Sequence, residues 1–142
     1  MLKSTFRVVL ALFFVGGGVN HFVRTGFYLR MMPLYVPFHL AIVQASGVAE
    51  IGLGILLLIP ATTAVAAWGL IALLVAVFPA NLQMALHPET FPEFSSRALW
   101  LRLPLQGAMI AWAWWFTGRN ILIHAFGSAC KALGLPGHED TV

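Results

Sequence analysis

Four long apolar stretches dominate the chain, and none of them alternates strictly between polar and apolar residues. They cover residues 6–23, 40–59, 64–86 and 98–117. Each is close to the roughly 20 residues that an α-helix needs to cross the hydrocarbon core of a bilayer. Lipid offers the backbone no hydrogen-bond partners, so such stretches are expected to be helices rather than open strands. The pattern therefore predicts an all-α fold: a four-transmembrane-helix bundle with up-down topology.

The connecting segments predict how the helices follow one another. Pro60 ends the second stretch, and residues 60–63 form a tight turn that makes stretches 2 and 3 antiparallel neighbours. Residues 24–39 combine prolines with aromatic side chains, which suits a segment at the membrane interface. An ordinary loop anchored by aromatic side chains is the alternative. Residues 87–97 contain two prolines and two glutamates and are expected to be solvated.

Residues 1–118 are expected to form the transmembrane domain, and residues 119–142 an amphipathic helix and tail. The first apolar stretch resembles a signal peptide, but no clear small-x-small cleavage site precedes Asn20 and His21. We therefore expect it to remain as the first helix. After Gly118, polar and apolar residues separate onto opposite helical faces, which predicts a short helix lying on the membrane.

Composition supports a membrane protein with little soluble mass. The chain is 60% hydrophobic and only 9% charged, whereas soluble domains carry about 25% charged residues. Its eight Lys and Arg are scattered and form no basic stripe for nucleic acid. Cys130 is the single cysteine, which excludes an internal disulfide or a thiol relay within this chain.

Glu50 is the only Asp, Glu, Lys or Arg between residues 31 and 88. A carboxyl group in the middle of a span costs about 2.5–3.5 kcal/mol on insertion scales, so it is expected to face other helices. Val43, Gly47 and Gly54 lie on the same helical stripe as Glu50. Glycines on that stripe allow a second helix to approach closely. The pattern predicts that Glu50 points into the bundle.

Up-down connectivity brings polar residues of all four helices to one leaflet. The candidate ligand-binding residues are Asn20, His21, Glu50, Asn81, Arg102 and Gln106. Asn81 is preferred to Gln83, which lies about 200° away around the helix, because Asn81 lies deeper. Pro79 lacks an N–H group and is expected to free a backbone carbonyl near Val75.

The same residues allow two interpretations. Glu50 binds a ligand or does chemistry, or it holds the helices together while protonated or paired with Arg102. One histidine and one glutamate do not form a recognised metal site, so no metal ligands are assigned. No catalytic triad, Walker motif or strand-linked glycine loop is present in the sequence. Catalytic residues are therefore not assigned, and a stand-alone enzyme is the least favoured class.

Short motifs along the four stretches are fairly specific in combination. They are Gly18-Val19-Asn20-His21-Phe22 with Phe27-Tyr28-Leu29, Met32-Pro33 and Pro37, Ser46-Gly47-Val48-Ala49-Glu50-Ile51 with Gly54, Ala67-Trp68-Gly69 with Phe78-Pro79-Ala80-Asn81, and Leu101-Arg102-Leu103-Pro104-Leu105-Gln106. Over residues 6–117 they resemble the DoxX-like family. The resemblance implies a small four-helix integral membrane protein with no established common catalytic mechanism. The family name comes from a subunit of an archaeal thiosulfate:quinone oxidoreductase, and other members resemble partners of redox or detoxifying enzymes.

Together these observations predict a polar intramembrane pocket that binds a small lipophilic molecule, or a membrane subunit of a redox-related complex. Quinone is the candidate ligand, because Asn, His and Arg can donate to its carbonyls while apolar walls hold its ring. The alternative is a non-enzymatic assembly or scaffold protein whose polar residues only hold the helices together. Expected partners are the lipid bilayer and a redox or other membrane protein. The expected location is a bacterial inner (cytoplasmic) membrane, with the N-terminus inside by a narrow positive-inside margin.

Overall fold

The computed structural model describes residues 2–118, and this part of the chain is helical apart from turns and loops. The helices are α1 (Leu2–Val23), α2 (Thr25–Met31), α3 (His39–Leu58), α4 (Thr63–Leu86) and α5 (Ser96–Trp114), with a 3₁₀ turn at Pro88–Thr90. The predicted all-α fold is confirmed over these residues, which contain no β-strand. The predicted amphipathic helix, the tail and Cys130 lie outside the described residues.

Three helices, α1, α3 and α4, are long and apolar enough to cross a membrane. Helices α3 and α4 each begin one residue before the predicted stretch, and α1 begins at Leu2 rather than at residue 6. Helix α5 has a comparable 19 residues. Arg97, Arg102 and Gln106 lower its apolar character.

The long helices pack in antiparallel pairs. Helices α1 and α3 approach closely. A Cβ added at Gly18 would lie only 2.6 Å from the carbonyl oxygen of Gly47, so the contact requires glycine. Helices α3 and α4 meet where Gly69 faces Leu53. Helices α4 and α5 meet through Trp68 and Trp114, whose ring centroids are 5.1 Å apart. Chain order therefore matches spatial order for α3, α4 and α5, and α1 lies against α3.

A core of small and large apolar residues joins all four long helices on one side of the molecule. It contains Leu10, Ala11, Phe14, Leu57, Ala66, Ala67, Leu70, Met109, Ala113 and Phe116. The four alanines allow close helix approach, while leucine and phenylalanine fill the remaining space. Phe6 packs against Trp112 and Trp115 at 5.8 Å and joins α1 to α5. We call this side, where α1 and α4 begin, the closed end.

The other side, where α1 and α4 end, is the open end, and a second core lies there. Met31, Met84, Phe91 and Leu99 form it, so it joins α2, α4, the following loop and α5. Phe91 is only 1% exposed, so the expectation of a solvated 87–97 loop is wrong for this residue. Burial of its ring against Phe27 outweighs the polar character of the loop. Glu89 and Glu93 of the same loop are exposed, as predicted.

Arg30 fastens α2 to the loop that follows α4. Its Nη2 donates to Oε1 of Glu93 at 2.6 Å, and its Nη1 donates to the carbonyl oxygen of Thr90 at 3.2 Å. Its guanidinium also lies 5.2 Å from the centroid of the Phe91 ring. The Glu93 carboxylate accepts from its own backbone N–H and from Arg30, which lowers its pKa. These contacts hold α2 across the open end.

Candidate functional site

A cavity of about 450 Å³ lies at the open end, between α1, α3 and α4 and beneath α2. Its apolar walls include Phe13, Val43, Ala76 and Val77. Its polar lining consists of His21, Tyr28, Tyr35, Ser46, Glu50, Asn81 and Arg102. Apolar walls with a few convergent polar groups are typical of sites for small organic ligands.

Glu50 reaches the cavity because the facing helix carries a glycine. A Cβ at Gly17 would lie 2.8 Å from Oε2 of Glu50, so any larger residue there would displace the carboxyl group. Oε2 lies 3.8 Å from Nδ1 of His21, and the Glu50 side chain is 14% exposed. Within residues 2–118 the carboxyl group accepts no hydrogen bond, so its lone pairs remain available to a ligand.

His21 and Tyr28 form a polar corner between α1 and α2. Their rings stack with centroids 3.8 Å apart and an interplanar angle of 22°. Nδ1 of His21 lies 3.0 Å from the carbonyl oxygen of Gly17. In the Nδ1-protonated tautomer it donates to that oxygen and leaves Nε2 as an acceptor. The structure thus gives His21 a fixed ring plane beside the cavity.

Tyr28 accepts a hydrogen bond of 3.0 Å from Nδ2 of Asn20. Burial raises the pKa of the Tyr28 phenol, and donation from Asn20 opposes that shift. The phenol therefore remains protonated at neutral pH. Its hydroxyl hydrogen has no acceptor in the described part of the chain, so it can donate into the cavity.

Asn81 and Gln106 join α4 to α5. Nδ2 of Asn81 donates to Oε1 of Gln106 at 3.1 Å, and Nε2 of Gln106 donates to the carbonyl oxygen of Leu74. Pro79 has no N–H group to donate to the carbonyl of Val75. Gln106 bonds the carbonyl of the preceding residue, Leu74. A buried glutamine thus bonds the backbone next to the predicted opening and orients Asn81.

Arg102 lines the cavity from α5 and lies 5.2 Å from the centroid of the Phe94 ring. It forms no ion pair with any carboxylate of residues 2–118. The pairing of Glu50 with Arg102, considered from the sequence, is therefore not present. Instead, the cavity has a carboxyl group on one wall and a guanidinium on another.

Four of the six predicted site residues, His21, Glu50, Asn81 and Arg102, line the cavity. The other two lie behind it: Asn20 supports Tyr28, and Gln106 supports Asn81. Sequence reasoning assigned no role to Ser46, although it lies one helical turn before Glu50 on α3 and so shares its face. Residues 2–118 hold no group of three or more His, Cys, Asp or Glu that could bind a metal ion.

Most of the chain matches a protein-family model. Residues 10–117 match the family model described as a domain of unknown function, DUF8561. No curated protein and no solved structure matches the chain. The matched range contains every residue that lines the open-end cavity. The chain therefore belongs to the DUF8561 family.

Proposed function

We propose that this chain is a four-spanning integral membrane protein, related to the DoxX-like proteins, with α5 as the fourth span. All four long helices expose large apolar side chains, for example Leu12, Val48, Val65 and Leu101, each more than 60% exposed. An apolar exterior on every helix suits contact with lipid. Arg97 lies in the first turn of α5 and Arg102 lines the cavity, so neither charge needs to face acyl chains.

The open-end cavity binds a small lipophilic molecule with at least one hydrogen-bond acceptor, and a quinone is our candidate. Tyr28 and Arg102 supply donors, and Phe13 and Val77 supply apolar surface for a ring. Glu50 offers a carboxyl group that accepts no hydrogen bond from residues 2–118 and lies 3.8 Å from Nδ1 of His21. The cavity volume of about 450 Å³ falls within the usual range for small-molecule sites.

In the cell, the chain acts as the membrane subunit of a redox-related complex. Its sequence carries no flavin or haem motif, so a soluble or membrane partner would supply the electron-transfer chemistry. The proposed location is a bacterial inner membrane with the N-terminus in the cytoplasm. The support is the small excess of Lys and Arg on that side.

The single observation that carries this proposal is the cavity that unites Glu50, Asn81 and Arg102 from three helices. The test fills that cavity. Ala76 lines it, whereas Ala72 is an exposed residue one turn earlier on the same helix and does not. Ala76→Trp should weaken binding of a soluble quinone analogue by about tenfold or more, equivalent to about 1.4 kcal/mol. Ala72→Trp should bind like the wild type.

Mass spectrometry of small molecules extracted from the purified protein gives an independent measurement. Wild type and Ala72→Trp should retain the same lipophilic molecule, and Ala76→Trp should lose it. Equal retention by all three proteins, or retention by none, would exclude the cavity as the binding site.

A scaffold function is the second candidate, and specific bonds favour it. Asn20 to Tyr28 links α1 with α2, and Asn81 to Gln106 links α4 with α5. Such bonds stabilise membrane bundles by about 0.6–2 kcal/mol each and need no ligand. A scaffold would keep its cellular activity in Ala76→Trp and lose it only when Asn81→Leu or Asn20→Leu loosens the helices. Complementation by these variants separates the two functions.

A further inference from the structure

A second cavity of about 330 Å³ lies at the closed end, opposite the site described above. Its lining comes from three parts of the chain: the first turns of α1, the turn between α3 and α4, and the segment after α5. The residues are Lys3, Ser4, Arg7, Pro60, Thr63 and Phe116. Two cations and two hydroxyl groups therefore converge on a cavity with an apolar edge.

No carboxylate of the described residues neutralises these cations. Residues 2–118 contain three acids, Glu50, Glu89 and Glu93, and all belong to the open end. The ion pairs in this range involve only His21 and Arg30 as cationic partners. Lys3 instead lies 6.0 Å from the centroid of the Phe116 ring.

Arg7 is held in place but incompletely bonded. Its Nη1 donates to Oγ1 of Thr63 over a long 3.4 Å, and Thr63 donates in turn to the carbonyl oxygen of Ile59 at 2.9 Å. Its Nε is buried without a hydrogen-bond partner in the described residues. A partly buried guanidinium with unused donors favours a bound anion, because the charge is otherwise desolvated without compensation.

The aromatic residues around this cavity place it at the level of lipid headgroups. Trp112, Trp114 and Trp115 end α5 on this side, and Phe6 of α1 packs against two of them. Tryptophan rings concentrate at the membrane–water interface, where lipid phosphates lie. Thus the cavity and its two cations face the region in which a phospholipid presents its negative charge.

We propose that the closed-end cavity binds the phosphate of an anionic phospholipid. Arg7 and Lys3 supply the positive charge, and the Ser4 hydroxyl supplies a neutral donor. Pro60 and Phe116 contact the first carbons of the lipid. The inference rests on the proposed membrane insertion of the chain but not on the open-end ligand. Quinone binding and lipid binding are measured separately, so the failure of one proposal is distinguished from the failure of the other.

The experiment measures lipid binding to the full 142-residue chain, in detergent by native mass spectrometry and in vesicles of defined composition. Phosphatidylglycerol, phosphatidylcholine and inorganic phosphate are the three probes. Lys3→Gln and Arg7→Gln should each weaken phosphatidylglycerol binding by about fivefold, corresponding to about 1 kcal/mol per cation near a membrane surface. Arg97→Gln, at an exposed arginine of the open end, is the matched control and should bind like the wild type.

Every outcome decides the proposal. Selective loss of phosphatidylglycerol in the Lys3 and Arg7 variants, with no displacement by excess inorganic phosphate, supports it. Displacement by inorganic phosphate would overturn the lipid as the source of the anion. Equal loss in Arg97→Gln, or no preference for phosphatidylglycerol over phosphatidylcholine, would overturn the site itself. Lys3 is exposed, so Lys3→Gln tests the proposal even where Arg7→Gln fails to fold.

Discussion

Glu50 fits beside α1 because Gly17 leaves room for its carboxyl group. Nδ1 of His21 lies 3.8 Å from Oε2 of Glu50, which is within ion-pair range but too far for a hydrogen bond. Asn20, Asn81 and Arg102 each have other contacts, with Tyr28, Gln106 and Phe94. A carboxyl group that accepts no hydrogen bond from the described residues contributes little to holding the helices together, which favours the ligand-binding interpretation at this position.

Substitution of Glu50 should therefore separate stability from function. Loss of the Glu50 side chain leaves no described hydrogen-bond donor without its acceptor. Glu50→Gln and Glu50→Ala should therefore each change the free energy of unfolding by less than about 1 kcal/mol. Stranding a buried polar partner would cost about 1–3 kcal/mol. Both variants should lose affinity for the open-end ligand. Thermal melts in detergent and ligand titration measure the two effects.

Gln44→Leu, on an exposed position of α3, is the control for Glu50 and should change neither quantity. A Glu50→Gln protein that is stable and binds ligand like the wild type would remove Glu50 from the functional residues. The scaffold function would then be favoured.

Tyr28 gives a pH-dependent prediction. Burial raises the pKa of its phenol above the ordinary value of 10.0, so the folded state favours the protonated form. Its contribution to stability is therefore complete below pH 10 and is lost as the pH rises through the folded-state pKa. Tyr28→Phe should be less stable than wild type at neutral pH, by about 0.5–1.5 kcal/mol for the lost bond from Asn20. The difference should shrink above pH 10.

Melting curves of both proteins from neutral to alkaline pH measure this effect. Tyr35→Phe, at a tyrosine that is 77% exposed, is the control and should follow the wild-type profile. A constant difference between wild type and Tyr28→Phe at every pH would contradict the assigned burial of the phenol.

At the scale of the helices, the contact between α1 and α3 depends on glycines whose roles differ by position. A Cβ at Gly18 would meet backbone and side-chain atoms at 2.6–3.0 Å, whereas a Cβ at Gly16 would meet nothing within 4 Å. A Cβ at Gly17 would meet only the flexible end of Glu50 at 2.8 Å. Three consecutive residues thus provide a matched substitution series.

Alanine should have three different effects in this series. Gly18→Ala should destabilise the protein by about 1–3 kcal/mol, because it forces two helices apart. Gly16→Ala should be neutral or stabilising by up to about 1 kcal/mol, because alanine favours the helix. Gly17→Ala should keep its stability but weaken ligand binding by displacing the Glu50 carboxyl group. Equal stability of Gly16→Ala and Gly18→Ala would contradict the close α1–α3 contact.

The long helices could be predicted from sequence because each contains a long run of mostly apolar residues, and their observed ends lie within a few residues of the predictions. Helix α2 was not predicted: at seven residues it has too few turns to show a periodic pattern. Contacts of Phe27 and Arg30 with the 87–95 loop hold α2 in place.

Connectivity alone placed the polar residues on one side of the bundle. Which of them reach the cavity depends on helix rotation, and this is why the positions of Asn20 and Gln106 behind the cavity could not be predicted.

At the scale of the whole molecule, the two ends have different chemistry. The open end combines carboxyl, phenol, amide and guanidinium groups around a cavity, and the closed end carries only cations among its described charged residues. This difference in charge would place different chemistry on the two sides of a membrane if the two ends lie on opposite sides of it. Whether α5 crosses that membrane decides the topology, since α5 connects the open end to the closed end.

Helix α5 should cross, with its last residues on the same side as the start of α1. Its 19 residues rise about 28 Å, close to the thickness of the hydrocarbon core. Single cysteines are introduced into a Cys130→Ser protein. Their labelling by a membrane-impermeant thiol reagent shows on which side of the membrane each position lies. Leu34→Cys and Glu89→Cys should be labelled from one side, and Ser4→Cys and Trp115→Cys from the other. With the N-terminus inside, the second pair should react only in inverted vesicles. Labelling of Trp115→Cys from the same side as Glu89→Cys would show that α5 does not cross and would leave three spans.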